Sequence, residues 1–232
     1  MEQLYCGFTL DIPPGCFPLS TDSMLLAHFA RQTGPARVLD LGSGCGTLGI
    51  LLCGGNEACH VTGVELEESA HRAALANIQA NGLTGRMESI CADLRTVSSL
   101  FPAGSFRCCV SNPPYFSGGA ASVRHGSARR DDQCSAQELF RAAAWALPTG
   151  GDFFLVHRPE KLAQLIACGA EVSLEAKQLL LIRHRPDAPV SLILLRFRRG
   201  GKPGLRLSEG TLLDAQGLPT PFYREVYHMP DP

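Results

Sequence analysis

Lysine is scarce in this chain: of 21 basic side chains only three are lysines, Lys161, Lys177 and Lys202. No apolar run approaches the roughly 18 residues that a membrane-spanning helix needs. The N-terminus carries Glu2 and Asp11 where a signal peptide would have a basic and then an apolar stretch, so a cytoplasmic, non-membrane protein is expected. Ten cysteines are present, yet none forms a C-x-x-C pair and none lies near histidines at zinc-site spacing. Buried reduced thiols are expected, and no metal site. There is no G-K-[ST] phosphate loop and no G-x-G-x-x-G dinucleotide fingerprint.

What is present is a core-forming sequence of 232 residues, 45% hydrophobic. That is ample for one domain. The net charge of −1 hides an asymmetry. Residues 1–116 carry six Arg/Lys against ten Asp/Glu, whereas residues 117–232 carry fifteen against twelve. The excess of arginine suits phosphate and base contacts, although GC-rich coding produces the same bias.

Short apolar strands alternate with helical periodicity along the chain, the pattern of a parallel α/β sheet. Phe17 to Ser23 leads into an apolar helix beginning near Met24, with Ser20, Thr21 or Asp22 as its cap. Arg37–Leu41 reads as a strand, followed by Gly42-Ser43-Gly44-Cys45-Gly46 and a helix through Leu52. Glycines between a strand and a helix let a ligand approach backbone N–H groups closely. Asp40, just before that loop, would repel a pyrophosphate but suits a cationic ligand. The strand His60–Glu65 ends in a carboxylate able to take both hydroxyls of a ribose. A third strand, Arg86 to Cys91, is followed by Asp93.

A fourth strand, Phe106 to Val110, runs into Ser111-Asn112-Pro113-Pro114-Tyr115-Phe116. Two prolines cannot donate to a ladder, so they end the strand in a stiff turn presenting an amide, unpaired carbonyls and an aromatic ring. Asp40, Glu65, Asp93 and Asn112 thus stand at the carboxyl ends of four successive strands, where open α/β sheets bind ligands. Any one of them alone is more often a cap or a solvated loop residue. Residues 117–133 are polar and carry Arg124, Arg129 and Arg130; a connection of that length usually has a function. A helix over Ser135–Leu147, a strand over Phe153–Val156, a helix over Lys161–Cys168 and strands over Leu179–Arg183 and Ser191–Phe197 complete the core. A basic stretch, Arg198 to Lys202, and an aromatic one, Leu218 to His228, follow.

The order Asp40-x-Gly42-x-Gly44-x-Gly46, then Glu65, Asp93 and Asn112-Pro113-Pro114-Tyr115, resembles the amino-methylating class I S-adenosylmethionine-dependent methyltransferases. With Phe17-Pro18-Leu19-Ser20-Thr21-Asp22, Tyr115-Phe116, Val156–Glu160 and Tyr223–Tyr227, it is similar over nearly the whole chain to the bacterial tRNA(Val) adenine-N6 methyltransferase family. The resemblance implies a Rossmann-like α/β fold: a seven-stranded, mostly parallel sheet with its last strand antiparallel and helices on both faces. It implies one domain over 1–232, with 1–36 as an N-terminal lid and helix and 37–232 as the catalytic core.

It also implies S-adenosylmethionine as cofactor, held by Asp22, Asp40, Gly42, Ser43, Gly44, Gly46, Glu65, Asp93 and Asn112. Glu65 would take the ribose hydroxyls, Asp93 the adenine amine, and the glycine loop with Asp40 the methionine end. Asn112, Pro113, Pro114 and Tyr115 would form the catalytic clamp, and Phe116, Arg124, Arg129 and Arg130 the RNA contacts. The substrate would be a tRNA adenine next to the anticodon, with no obligate protein partner. Two rivals share features. Glutamine N5-methyltransferases acting on release factors have the same clamp but normally carry an added N-terminal helical domain, and only 36 residues precede Arg37 here. A non-catalytic RNA-binding module would not need all four carboxylate and amide positions.

Overall fold

The computed structural model describes residues 2–5, 7–31, 37–113 and 134–230. Two short strands, β1 (Glu2–Gln3) and β2 (Thr9–Leu10), pair antiparallel and precede α1 (Thr21–Arg31). The alternation expected from the sequence follows: β3 (Arg37–Leu41), α2 (Thr47–Gly55), β4 (His60–Glu65), α3 (Glu68–Ala80) and β5 (Met87–Cys91). A 3-10 turn over Leu94–Thr96 and the short α4 (Val97–Leu100) lead to β6 (Cys108–Ser111). Then come α5 (Ala136–Ala146), β7 (Asp152–His157), α6 (Leu162–Glu171), β8 (Leu174–Arg183), β9 (Val190–Arg199), β10 (Arg206–Thr211) and α7 (Pro221–Tyr227).

Strands β3 to β10 form one sheet in the order β10-β8-β9-β7-β6-β3-β4-β5. All pairings are parallel except those of β9, which runs antiparallel between β7 and β8. The expected seven strands with one inserted antiparallel strand are therefore all present, but the count is eight: β10 adds to the edge beside β8, and the antiparallel strand is not the last. The sequence does not announce β10 because Arg206 to Glu209 are all exposed, so no buried alternation marks it. Strand β8 also starts at Leu174 rather than Leu179.

The period-2 side-chain alternation of the strands feeds two cores, one on each face. Val38, Cys108, Val110, Phe154, Val156 and Leu194 face α1 and α2. Leu39, Leu41, Cys109, Phe153, Leu155, Leu195 and Phe197 face α5 and α6. Strand β7 is buried along its whole length, as a central strand covered on both faces must be. On the α5 face, Phe140 meets Phe153 and Phe197 edge-on at 5.3 and 5.0 Å between ring centroids, a favoured aromatic geometry. Helix α5 begins in a full capping box between Ser135 and Glu138.

At the amino end of β7 the buried Asp152 accepts paired hydrogen bonds from Arg196 (3.0 and 2.9 Å) and Arg198 (both 3.0 Å). Arg199 donates to the Val172 carbonyl. Arg196 and Arg198 thus hold the β7–β9 pair, and Arg199 ties the end of β9 to the turn after α6, so two arginines of the basic stretch already have structural partners. Of the nine described cysteines, all free thiols, six are buried, Cys16 and Cys134 are half-buried, and Cys91 is exposed, against the expectation of uniform burial. No helix among the described residues is long and apolar enough to cross a membrane.

Candidate active site

The carboxyl ends of β3, β4, β5 and β6 are tied to one another by hydrogen bonds beyond the sheet ladder. The Ser111 hydroxyl, at the end of β6, donates to the Leu41 carbonyl at the end of β3 at 2.7 Å. The Gly42 and Ser43 amides donate to the Val64 carbonyl in β4 at 2.9 and 3.2 Å, and the Ala92 amide donates to the Glu65 carbonyl at 2.9 Å. Asp40, Glu65, Asp93 and Asn112 are therefore gathered along one edge, as their spacing predicts.

The loop after β3 is shaped by its glycines. Gly42 and Gly44 have φ of +77° and +55°, and a Cβ at either would meet no atom within 4 Å. Glycine is needed there for the backbone conformation, and the loop face is left open. The Glu65 carboxylate fixes this loop from the neighbouring strand: one oxygen accepts from the Gly44 amide at 2.7 Å, the other from the Glu67 amide at 2.8 Å. On the other side Ser43 packs against Gly63, where an added Cβ would lie 2.6 Å from the Ser43 hydroxyl oxygen. Gly63 is thus a site residue that the sequence reading passed over; a glycine inside a strand was the available signal.

Asp40 is buried, and its Oδ2 has no hydrogen-bond partner among the described residues; the buried Ser43 Oγ has none either. Burial first, and the Glu65 charge second, push the Asp40 carboxyl up to about 7. A buried carboxyl left short of partners is costly, and a cationic group placed against it relieves that cost. Asp93 has partners: its Oδ1 accepts from the Arg95 amide at 2.8 Å and its Oδ2 from Arg95 Nε at 2.7 Å, with Nη2 in an ion pair at 2.5 Å. The Arg95 side chain holds Asp93 below the ordinary carboxylate range and fixes its orientation. Arg95, two residues beyond Asp93, was not foreseen as part of the site.

Asn112 and Pro113 are described; Pro114, Tyr115, Phe116, Arg124, Arg129 and Arg130 lie outside the described residues. Asn112 Nδ2 donates to the Ser23 hydroxyl at 3.1 Å, joining the end of β6 to the first turn of α1, which also carries Asp22. The segment before α1 is held by α3. Asn77 Oδ1 accepts from the Asp11 amide, and its Nδ2 donates to the carbonyls of Asp11 and of Cys45 in the glycine loop. One turn later Asn81 pairs with both backbone groups of Thr9 at 2.7 Å. The sequence marks these asparagines only as a helix position and a helix stop. Among the described residues no group of three or more His, Cys, Asp or Glu could hold a metal ion.

An open glycine loop, the buried Asp40 Oδ2 and Ser43 Oγ without partners among the described residues, and carboxylates at the ends of β4 and β5 fit a ligand with a cationic end, a diol and an adenine. That is the composition of S-adenosylmethionine, which supplies an electrophilic methyl group on a sulfonium.

Comparison with known proteins agrees with this geometry. Residues 20–167 match the family described as "Methyltransferase small domain". A tRNA1(Val) (adenine(37)-N6)-methyltransferase of Aeromonas hydrophila is 28% identical over 229 residues, covering 94% of this chain and 95% of that protein. A protein of the same name from Bacteroides fragilis is 28% identical over 77% of this chain and 76% of its own length. Among solved structures, a predicted O-methyltransferase from Agrobacterium tumefaciens superposes with a TM-score of 0.74 at 22% identity, covering 90% of this chain and 96% of that one. A T. thermophilus 16S rRNA N2 methyltransferase, solved with AdoMet and guanosine, gives 0.61 at 23% identity, covering 85% and 49%. This chain belongs to the methyltransferase small domain family and is an S-adenosylmethionine-dependent methyltransferase.

Proposed function

We propose that the protein methylates the exocyclic N6 of an adenine in tRNA, at adenine 37 of tRNA(Val), working in the cytoplasm as one domain over residues 1–232. The observation that carries this reading is the fixed Asn112 carboxamide at the carboxyl end of β6, next to the glycine loop. The name shared by relatives that cover 94% and 77% of the chain supports it.

An adenine amine is a poor nucleophile because its lone pair is delocalised into the ring. Asn112 Oδ1 and the Pro113 carbonyl accept its two N–H bonds, favouring a pyramidal nitrogen with the lone pair directed outward. Tyr115 stacks on the base. Stacking is worth roughly 1–3 kcal/mol per base, enough for an unpaired loop base but little against a stable duplex. An anticodon-loop adenine meets that condition. No proton-transferring side chain is required, since orientation supplies most of the acceleration. In this reading Glu65 takes the ribose hydroxyls and Asp93 the adenine amine of the cofactor. Asp40 and the loop of Gly42, Ser43, Gly44 and Gly46 take its methionine end, and Asp22 covers it. Phe116, Arg124, Arg129 and Arg130 contact the RNA.

Mass spectrometry of tRNA from a strain lacking this gene tests the assignment. N6-methyladenine should be missing at position 37 of tRNA(Val), restored by the wild-type gene and not by Asn112→Ala. A fully modified tRNA in the deletion strain would refute it, and methyl transfer to a protein glutamine instead would favour the amide-methylating alternative.

A further inference from the structure

We infer that Ser23 is a positioning residue for methyl transfer, setting which way the Asn112 carboxamide faces; the inference rests on the role given to Asn112 above. Asn112 Nδ2 donates to Ser23 Oγ at 3.1 Å, and Ser23 is 6% exposed. A hydroxyl can donate or accept, so by itself it does not choose between the two ends of an amide. Ser20 gives the Ser23 hydroxyl a second partner. Its Oγ caps α1 by accepting from the Ser23 amide at 3.4 Å, and it stands 3.5 Å from Ser23 Oγ. Either hydroxyl can donate to the other; with the Ser23 proton directed to Ser20, Ser23 Oγ accepts from Asn112 Nδ2, the end of the amide that faces it.

Because the carboxamide is planar, holding Nδ2 on α1 puts Oδ1 on the opposite branch. That is the end able to accept an amino hydrogen. A flipped amide would set an NH2 group against the substrate NH2, and the acceptor would be lost.

The support behind Ser23 is rigid. Helix α1 is pinned by the Tyr227 hydroxyl at Thr21 (3.1 Å) and by Phe29 set edge-on to Phe154 of β7 at 5.6 Å. A reacting group locked by packed neighbours keeps its productive geometry, whereas a freed one spends time in the wrong rotamer.

The test compares wild type, Ser23→Ala, Ser23→Thr and Ser20→Ala with labelled S-adenosylmethionine and unmodified tRNA. Ser23→Ala should lower kcat about tenfold, since slight misplacement of a reacting group is costly. The calorimetric Kd for S-adenosylmethionine, the KM for tRNA and the cooperativity of unfolding should stay as in wild type. Ser23→Thr, which restores the hydroxyl, should recover most of the rate. Ser20→Ala, at a half-buried position, should lower kcat in the same direction, and it carries the test should Ser23→Ala fail to fold. In the cofactor-free protein the Asn112 side-chain NH2 resonances should shift on Ser23→Ala. Wild-type kcat with unmoved resonances would overturn the inference, as would an equal loss of cofactor binding, which is the mark of a packing role. A wild-type protein inactive on every tRNA would defeat the adenine assignment, while the resonances would still decide the Ser23–Asn112 relation.

Discussion

Glu65 holds the Gly44 amide at 2.7 Å, so the end of β4 sets the shape of the loop that follows β3. A carboxylate reached from the neighbouring strand does for this loop what a cap does for a helix: it pairs a backbone donor that would otherwise wait for the ligand. Removing it should therefore harm the fold and the cofactor site together. Glu65→Ala is expected to cost about 1.5–3 kcal/mol of stability, the range for hydrogen bonds to charged groups, and to weaken S-adenosylmethionine binding. Glu65→Gln keeps one acceptor and should fall between the two. Thermal unfolding and calorimetric titration of both variants read these effects.

Gly63→Ala tests the contact on the other side of the loop. The new Cβ would lie 2.6 Å from Ser43 Oγ and 2.8 Å from Ser43 Cβ. Overpacking of this kind typically costs about 1–3 kcal/mol. Ser43→Ala leaves the Cβ clash in place, so it should not rescue Gly63→Ala, whereas Ser43→Gly should. A double-mutant cycle on thermal stability and cofactor affinity decides the matter.

The Asp40 carboxyl gives the site a pH dependence of known sign. Its folded value, about 7, lies above the ordinary 3.8, so the unfolded chain releases this proton first. The stability it contributes is fully present below about pH 4 and is lost as pH rises through about 7, at up to about 1.4 kcal/mol per pH unit within that window. In cofactor-free protein, Asp40→Asn should remove this part of the slope between pH 4 and 7. Urea unfolding of both proteins across that range measures it. Affinity for the cationic cofactor should rise with pH up to about 7 in wild type and stay flatter in Asp40→Asn.

Asn77 couples the leader to the glycine loop through Asp11 and Cys45. Asn77→Ala takes the amide partner from the buried Cys45 carbonyl, which costs about 1–3 kcal/mol, and releases the Asp11 backbone from α3. Residues before Ser20 should then be cleaved faster by a nonspecific protease, and S-adenosylmethionine should slow that cleavage less than in wild type.

The parts of the molecule legible in the sequence are those where a local pattern and the tertiary environment agree. Strands β3, β4, β6 and β7 are apolar runs bounded by turns; Asp40 and Glu65 lie at the carboxyl ends of β3 and β4, Asn112 directly after β6, and Asp93 two residues after β5. Strand β10 was not legible because Arg206 to Glu209 are all exposed, so no buried alternation marks it. Strands β1 and β2, of two residues each, fall below any periodicity. The missed site residues act through long-range partners: Ser23 on Asn112 across 89 positions, Asn77 on Asp11 across 66, and Ser111 on Leu41 across 70. A hydroxyl or amide in an apolar helix reads as a tolerated polar residue until the fold supplies its partner.

The most direct test of the central claim is transfer from labelled S-adenosylmethionine to unmodified tRNA by wild type and Asn112→Ala. Label should enter tRNA as N6-methyladenine with wild type only, while Asn112→Ala still binds the cofactor measurably. Label in tRNA from Asn112→Ala at the wild-type rate, or no transfer by wild type, would contradict it.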